Sequence, residues 1–361
     1  MTLPQAQVKE AERESTDAAR GGSRAGVGLG ASEQRSPRSG RAADGPPVEL
    51  NHMRLVCIVG PTASGKSALA LDLAERLGAE IVSADSRQIY RDLDIGTAKP
   101  TAAERARIRH HCLDLVAPDE AFDAARFRDA ARAAIADIAR RGHAALVVGG
   151  TGLYVRALLR GLCPAPPRAP ALRATLAQED APALHRRLGV LDPVAAARIA
   201  PTDARRIVRA LEVALVSGVP LSRWQAEHRL AEPAYDALVI GLARPTAELD
   251  ARIAARARAM LEAGFLDEVR ALGRRGLGAA APGLSAVGYR ELLACVEGRT
   301  DLETALAAMV RATRQFAKRQ RTWFRREPAI VWRHPEREAG TIAAALEAFL
   351  AGAAPAVRAP A

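Results

Sequence analysis

The spacing of apolar positions changes several times along this chain, and each change predicts an element. Residues 1–52 are rich in Gly, Ser, Arg, Ala and Pro with almost no apolar periodicity, which predicts a disordered extension. Met53 is then a candidate start of the folded protein. Leu55–Val59 is an uninterrupted apolar run, as in a strand buried on both faces. Leu69, Leu73 and Leu77 follow at helical spacing, and Gly78 supplies a stop. Glu80–Ala84 reads as a second strand. Phe122–Arg140 reads as a helix whose Phe127, Ala131, Ile135 and Ile138 share a face, and Ala144–Val148 as a third strand. This alternation predicts an α/β fold: a parallel sheet with helices on both faces and ligands at the carboxyl ends of its strands.

The pattern changes after Leu162. Cys163–Pro170 is proline-rich and argues against regular structure. From Ala171 to about Leu230 only helical periods appear, among them Pro193–Ala200 and Asp203–Ser217, the latter with Asp203 as N-cap and Gly218 as stop. Strand character returns at Leu238–Leu242 and, weakly, at Ala329–Trp332. Helices enclosed between strands read as an insertion into the sheet domain. The predicted organisation is an extension over 1–52, a first core part over 53–162, a helical insertion over 163–236, a second core part over 237–335, and a C-terminal helix and tail over 336–361.

Composition narrows the partners. The formal net charge is +11, and residues 1–52 carry seven basic and seven acidic side chains, so the excess falls on the folded remainder. That points to an anionic partner larger than a metabolite, with nucleic acid first. A coding bias towards Arg and Ala is the plain alternative. Cys57, Cys112, Cys163 and Cys295 are scattered, without C-x-x-C or zinc spacing, so a reducing cytoplasm is expected and disulfides are not. No apolar run reaches the ~18–20 residues of a membrane span, so no membrane partner is expected. The N-terminus lacks an h-region, and its acidic residues argue against a mitochondrial presequence.

The chemistry concentrates in loops after the predicted strands. Gly60-Pro61-Thr62-Ala63-Ser64-Gly65-Lys66-Ser67 fits G-x-x-x-x-G-K-[ST] between a strand and a helix, and so reads as a P-loop. Its glycines let backbone N–H groups point at phosphate oxygens, and the helix adds its dipole. Lys66 can bridge terminal phosphates and Ser67 can hold Mg²⁺. The second strand runs into Ser83-Ala84-Asp85-Ser86-Arg87-Gln88, where Asp85 can act as a general base or a water-mediated Mg²⁺ ligand. A helix-capping Asp is the competing reading. Asp94–Pro100 follows as a second donor-rich turn. The third strand ends in Gly149-Gly150-Thr151-Gly152, where P-loop ATPases place an acidic metal ligand, which weakens an ATPase or motor reading. Thr151 between glycines suits close approach to a flat ligand with a hydroxyl hydrogen bond.

Two segments are strongly basic. Arg205 and Arg209 share a face of the inserted helix, beside Arg206, with Ile207, Leu211 and Leu215 as its buried stripe. Arg311, Arg314, Lys318, Arg319, Arg321, Arg325 and Arg326 lie in one stretch with no acid before Glu327, interleaved with Phe316, Trp323 and Phe324. Phosphate contact plus base stacking needs that mixture. A charged helix that packs its aromatics inward would carry it too. Arg252 and Arg256 stand on the helix Leu249–Leu261 after the fourth strand, from which an Arg can turn towards P-loop phosphates. In Ser285-Ala286-Val287-Gly288-Tyr289-Arg290, Tyr289 and Arg290 are candidate nucleotide contacts.

Together these segments resemble the bacterial tRNA dimethylallyltransferases. The likeness runs from about Leu55 to Trp332. It is carried by GPTASGKS, the Asp-Ser followed by Gln-Ile-Tyr, DIGTAKP, LVVGGTGLY, DPVAAARI, RRIVRALEV, the R-I-x-x-R of Arg252–Arg256, GFLDEVRAL, VGYRE and TRQFAKRQRTWFR. The resemblance implies a P-loop NTPase-like α/β core with an inserted helical domain, and a channel where dimethylallyl diphosphate and a flipped-out adenine meet from opposite ends. It implies dimethylallyl transfer to N6 of adenosine 37 in tRNAs reading codons that begin with U, with Mg²⁺ as cofactor. The partner would be the anticodon stem-loop of tRNA, and the enzyme a monomer.

By position, Thr62 to Ser67 would hold the diphosphate with Mg²⁺ near Ser67, and Lys66 and Arg256 would add charge. Asp85 would take the N6 proton and Thr151 would hold the target base. The tRNA-contacting stretches would include Asp85, Ser86, Arg87 and Gln88, then Arg205, Arg206, Ile207, Val208 and Arg209. They would continue with Ser285, Ala286, Val287, Gly288, Tyr289 and Arg290, and with Lys318, Arg319, Gln320, Arg321, Thr322, Trp323, Phe324 and Arg325. Arg173, after the prolines, matches a further contact. Ser285 and Ala286 stand where some relatives carry Arg-Cys, and the extension over 1–52 has no counterpart in the family. No C-terminal zinc finger of the eukaryotic kind is expected. A small-molecule kinase using ATP leaves the two basic helices unexplained, as does transfer to free AMP. A nucleic-acid-binding switch without prenyl chemistry predicts that Asp85→Ala leaves function intact.

Overall fold

Among the described residues, six parallel strands form one sheet: β1 (Arg54–Val59), β2 (Ala79–Ser83), β3 (His110–His111), β4 (Ala144–Gly149), β5 (Asp236–Leu242) and β6 (Ile330–Arg333), in the order β3-β2-β4-β1-β5-β6. This computed structural model describes residues 53–228, 235–327 and 329–353; the extension expected over 1–52 and the end of the tail lie outside them. Central β1 pairs Cys57 with Val147 of β4 on one side and with Val239 of β5 on the other. Its side chains alternate, as a strand buried on both faces requires. Leu55, Cys57 and Val59 enter one core, and Val56 and Ile58 the other. The second core is closed by α1 (Lys66–Leu77) and α14 (Ala339–Leu350). The first is closed by α3 (Ala124–Arg140), α4 (Gly152–Arg160) and the helices that follow β5.

Local chemistry sets the helix ends where the sequence placed them. α1 starts from Gly65 (φ 97°) and stops at Gly78 (φ 58°), whose amide bonds the carbonyls of Ala74 and Glu75. Asp123 caps α3 through the amides of Ala125 and Arg126, and Phe127, Ala131, Ile135 and Ile138 are fully buried. The apolar pattern misses β3. Its two half-buried histidines, after α2 (Ala102–Arg107), form no apolar run, so Ala144–Gly149 is the fourth strand and not the third.

Between α4 and β5 lies the helical insertion: α5 (Pro170–Leu176), α6 (Ala181–Leu191), α7 (Pro193–Ala196), α8 (Ala204–Ser217) and α9 (Leu221–His228). Leu176, Leu184, Leu188, Ile207 and Leu211 give it a core of its own. Three expectations are corrected. Pro170 opens α5 and does not belong to the irregular run, because a first-turn proline lacks only an N–H that has no helical partner. The helix from Pro193 ends at Ala196, short of Ala200. Leu215 is 38% exposed, and Ala210 and Val213 complete the buried stripe of α8 instead. Asp203 caps α8 and Gly218 ends it in the left-handed conformation, as read from the sequence. After β5 come α10 (Thr246–Glu262), α11 (Phe265–Arg274), α12 (Tyr289–Val296) and the long basic α13 (Leu302–Phe324). No helix among the described residues is long and apolar enough to cross a membrane.

Candidate active site

The loops after β1, β2 and β4 converge at the carboxyl edge of the sheet, as a parallel order demands. They border a cleft whose walls include Lys66, Ser67, Ser83, Asp85 and Gln88. In the first loop Ala63 (φ 64°) and Gly65 (φ 97°) are left-handed, which turns successive amides towards a common point. Lys66 Nζ rests on the carbonyl of Pro61 at 2.7 Å. Burial brings its ammonium down to about 8; the Asp85 carboxylate opposes that shift and the Arg256 guanidinium adds to it. Burial likewise lowers Arg256, again against the pull of Asp85. Two cations and one carboxylate thus share a field across the cleft. Arg252 supports the loop from outside, donating Nε to the Ala63 carbonyl at 3.0 Å.

The loop after β2 is tied to its neighbours. Asp85 Oδ1 accepts from the Arg87 amide at 2.8 Å inside a turn, and no helix follows for it to cap. Thr151 Oγ1 accepts from the Ser86 amide at 3.0 Å, which sets the Gly-Gly-Thr turn against the Asp85 loop. Ser83 donates to Gln88 Oε1 at 2.9 Å, and Gln88 Nε2 donates to the Ala98 carbonyl at 3.0 Å. Arg87 reaches Pro282 O and Ser285 Oγ. β4 ends in glycine because the chains meet there: a Cβ on Gly149 would stand 2.1 Å from Ala84 O. No carboxylate follows it, as the sequence indicated.

The donor-rich turn at Asp94–Pro100 is filled from within. The amides of Asp94, Ile95 and Gly96 all donate to the carboxylate of Glu268 on α11, at 3.0, 2.8 and 3.3 Å. Tyr289 adds its hydroxyl to the same carboxylate. Tyr289 is completely buried, so it is a core residue and not a nucleotide contact. Ala286 and Gly288 are buried with it, while Ser285 and Arg290 face solvent and Val287 lies between.

The basic segments divide in the same way. On α13, Lys318, Arg319 and Thr322 are exposed, as is Arg325 just beyond it; Arg321 is half-buried, and Gln320 and Phe324 are buried. Trp323 packs against Gly152, where a Cβ would lie 2.1 Å from the indole, and Arg156 covers its ring at 4.5 Å. Phe324 is fully buried and serves packing, which corrects base stacking by it; Trp323 is half-buried. On α8, Arg205 and Arg206 are exposed, Ile207 is fully buried and Val208 packs on the insertion core. Arg173 and Arg209 both converge on buried Glu212, at 2.8 and 2.7 Å, and Arg209 also donates to Pro166 O. Burial would raise the Glu212 carboxyl, but these donors and the Ala169 amide outweigh it and bring it to about 2.

One supporting residue carries no sequence signal. Arg244, just past β5, donates Nε to the Ser64 carbonyl at 2.9 Å and pairs with Glu248 and Glu336. Glu248, His334 and Glu336 lie close enough together to suggest a metal, yet both carboxylates already pair with Arg244. The hard hydroxyl oxygen of Ser67, in the cleft, is the better match to Mg²⁺.

A phosphate cradle at the carboxyl edge of a parallel sheet, with Lys66 and Asp85 lining one cleft and Arg256 within electrostatic reach of both, defines a P-loop α/β protein built for a phosphorylated ligand. The IPP transferase family model matches residues 88–327, and on this match and the relatives below the chain belongs to that family. The tRNA dimethylallyltransferase of Anaeromyxobacter dehalogenans (strain 2CP-C) is 54% identical over 299 residues, 82% of this chain and 99% of that protein. Two solved structures share the fold. The tRNA isopentenylpyrophosphate transferase of Bacillus halodurans is 36% identical with a TM-score of 0.62, covering 82% of this chain and 97% of that one. A eukaryotic dimethylallyltransferase acting on tRNA is 26% identical with a TM-score of 0.74, covering 85% and 82%.

Proposed function

We propose that this chain transfers the dimethylallyl group of dimethylallyl diphosphate to tRNA adenosine, at N6 of adenosine 37 in tRNAs reading codons that begin with U. The observation that carries the reading is the cleft itself, in which the P-loop residues Lys66 and Ser67 and the carboxylate of Asp85 share one wall, with Arg256 within electrostatic reach of Lys66 and Asp85. The amides of Gly65, Lys66 and Ser67 open α1 without helical partners and point at the diphosphate, which Lys66 and Arg256 neutralise. Ser67 is the oxygen suited to Mg²⁺, which when bound would supply charge to stabilise the departing diphosphate. As the N6–C1 bond forms and the C1–O bond to diphosphate breaks, Asp85 accepts the proton from N6.

Thr151, held against the Asp85 loop, positions the adenine, which must leave the RNA stack to enter. The insertion over 163–236 and α13 grip tRNA through exposed cations, Arg205, Arg206, Lys318, Arg319 and Arg325 among them, while the sheet domain holds the diphosphate. Four free cysteines suit a reducing cytoplasm, where the enzyme acts as a monomer. Incubation with dimethylallyl diphosphate, Mg²⁺ and unmodified tRNA should add one isopentenyl mass to adenosine, read by nucleoside mass analysis. Asp85→Asn should lower turnover by about 10²–10⁴-fold and retain tRNA binding. Absence of the mass gain in the unaltered protein defeats the reading, and ATP consumption instead would select a kinase.

A further inference from the structure

Gln320 lies in the middle of the basic stretch of α13, yet only 7% of it is exposed. Both ends of its amide are engaged at the reaction cleft. Oε1 accepts from the Thr62 amide of the P-loop at 2.8 Å, and Nε2 donates to the Gly150 carbonyl at 2.9 Å. The turn after β4 is shaped to admit it: a Cβ on Gly150 would stand 2.3 Å from Gln320 Nε2 and 3.3 Å from Gly60 O. One helical turn later Trp323 fills the space over Gly152. Two glycines of the Gly-Gly-Thr-Gly turn are therefore matched to two residues of α13.

The geometry points to Gln320 as a positioning residue that locks the diphosphate cradle to the turn bearing Thr151, on the same helix whose outer face carries the tRNA-binding cations. It rests on the proposed function for the identity of the ligands. The side chain is buried, and its amide is occupied by backbone groups at both ends. It fixes the spacing between the place where the allylic diphosphate sits and the place where the adenine is held, and it removes Thr62 N–H from the donors open to phosphate. A glutamine suits this task because a single planar group both accepts and donates, and neither partner is left unsatisfied in a buried site.

The test separates positioning from RNA contact. Gln320→Leu keeps much of the volume and removes both hydrogen bonds. It should weaken binding of inorganic pyrophosphate about tenfold and raise the KM for dimethylallyl diphosphate, while the Kd for tRNA alone stays within about twofold. Arg319→Ala should do the opposite, weakening tRNA and leaving pyrophosphate binding unchanged. Gln320→Glu supplies a second variant if the first does not fold. Its carboxylate keeps the acceptor for Thr62 but repels the Gly150 carbonyl, so its pyrophosphate affinity relative to the unaltered protein should recover as pH falls and the carboxyl gains a proton. Weakened tRNA binding with unchanged pyrophosphate binding in Gln320→Leu would overturn the proposal, as would no change in either. Pyrophosphate binding is read without turnover, so a protein that binds it normally but transfers no isopentenyl group would refute the proposed function and not this one.

Discussion

Lys66 shows how one residue's surroundings set its task. Its ammonium, lowered to about 8 by burial, is partly neutral just above physiological pH. On the proposed function, diphosphate at Lys66 would restore the charge, and binding would take up a proton. The affinity for dimethylallyl diphosphate should therefore fall as pH rises through about 8, and calorimetry in buffers of different ionisation enthalpy should register the proton. The stability sign is opposite. The unfolded chain, whose lysine titrates near ~10.4, binds more protons between the two values, so the burial penalty at Lys66 is relieved as pH rises from 8 to 10. None of this shows in the P-loop motif, which identifies the lysine but not the Asp85 and Arg256 that face it.

At the scale of elements, the helical insertion turns on Glu212. It stands three positions after Arg209 on α8, and the pairing with Arg173 and the Ala169 amide fastens α5 and the proline-rich run to that helix. Glu212→Ala would leave two half-buried guanidinium groups without their carboxylate, though Arg209 keeps the Pro166 carbonyl, an expected loss of about 1–3 kcal/mol. Hydrogen exchange should rise in α5, α6 and α8, with little change in the sheet. The same carboxyl stabilises the insertion above its unfolded range near ~4.3, and that contribution fades as pH falls towards 2. The helices themselves were legible from their periodicity and caps. Glu212 was not, because one acid in an arginine-rich segment reads as an ordinary surface charge until its neighbours are placed.

At the scale of the whole molecule, the chain carries a net charge of +11, and α8 and α13 expose Arg205, Arg206, Lys318 and Arg319 to solvent. Binding through phosphate contacts implies a steep loss of tRNA affinity with salt. Replacing Arg205 or Arg319 with Ala should weaken all tRNAs about equally and lower the log–log salt slope by about 1 for each contact removed. The sequence alone determined the α/β class, the P-loop, Asp85 at a strand's end, the missing acid after β4 and the two basic helices. These are local patterns, readable from spacing and turn chemistry. Only the tertiary structure decided which residues within those stretches turn inward. Gln320 meets partners 258 and 170 residues away, Glu268 fills a turn 172 residues before it, and Tyr289, Ile207 and Phe324 join the core. Burial depends on which distant elements come together, and no local spacing records that.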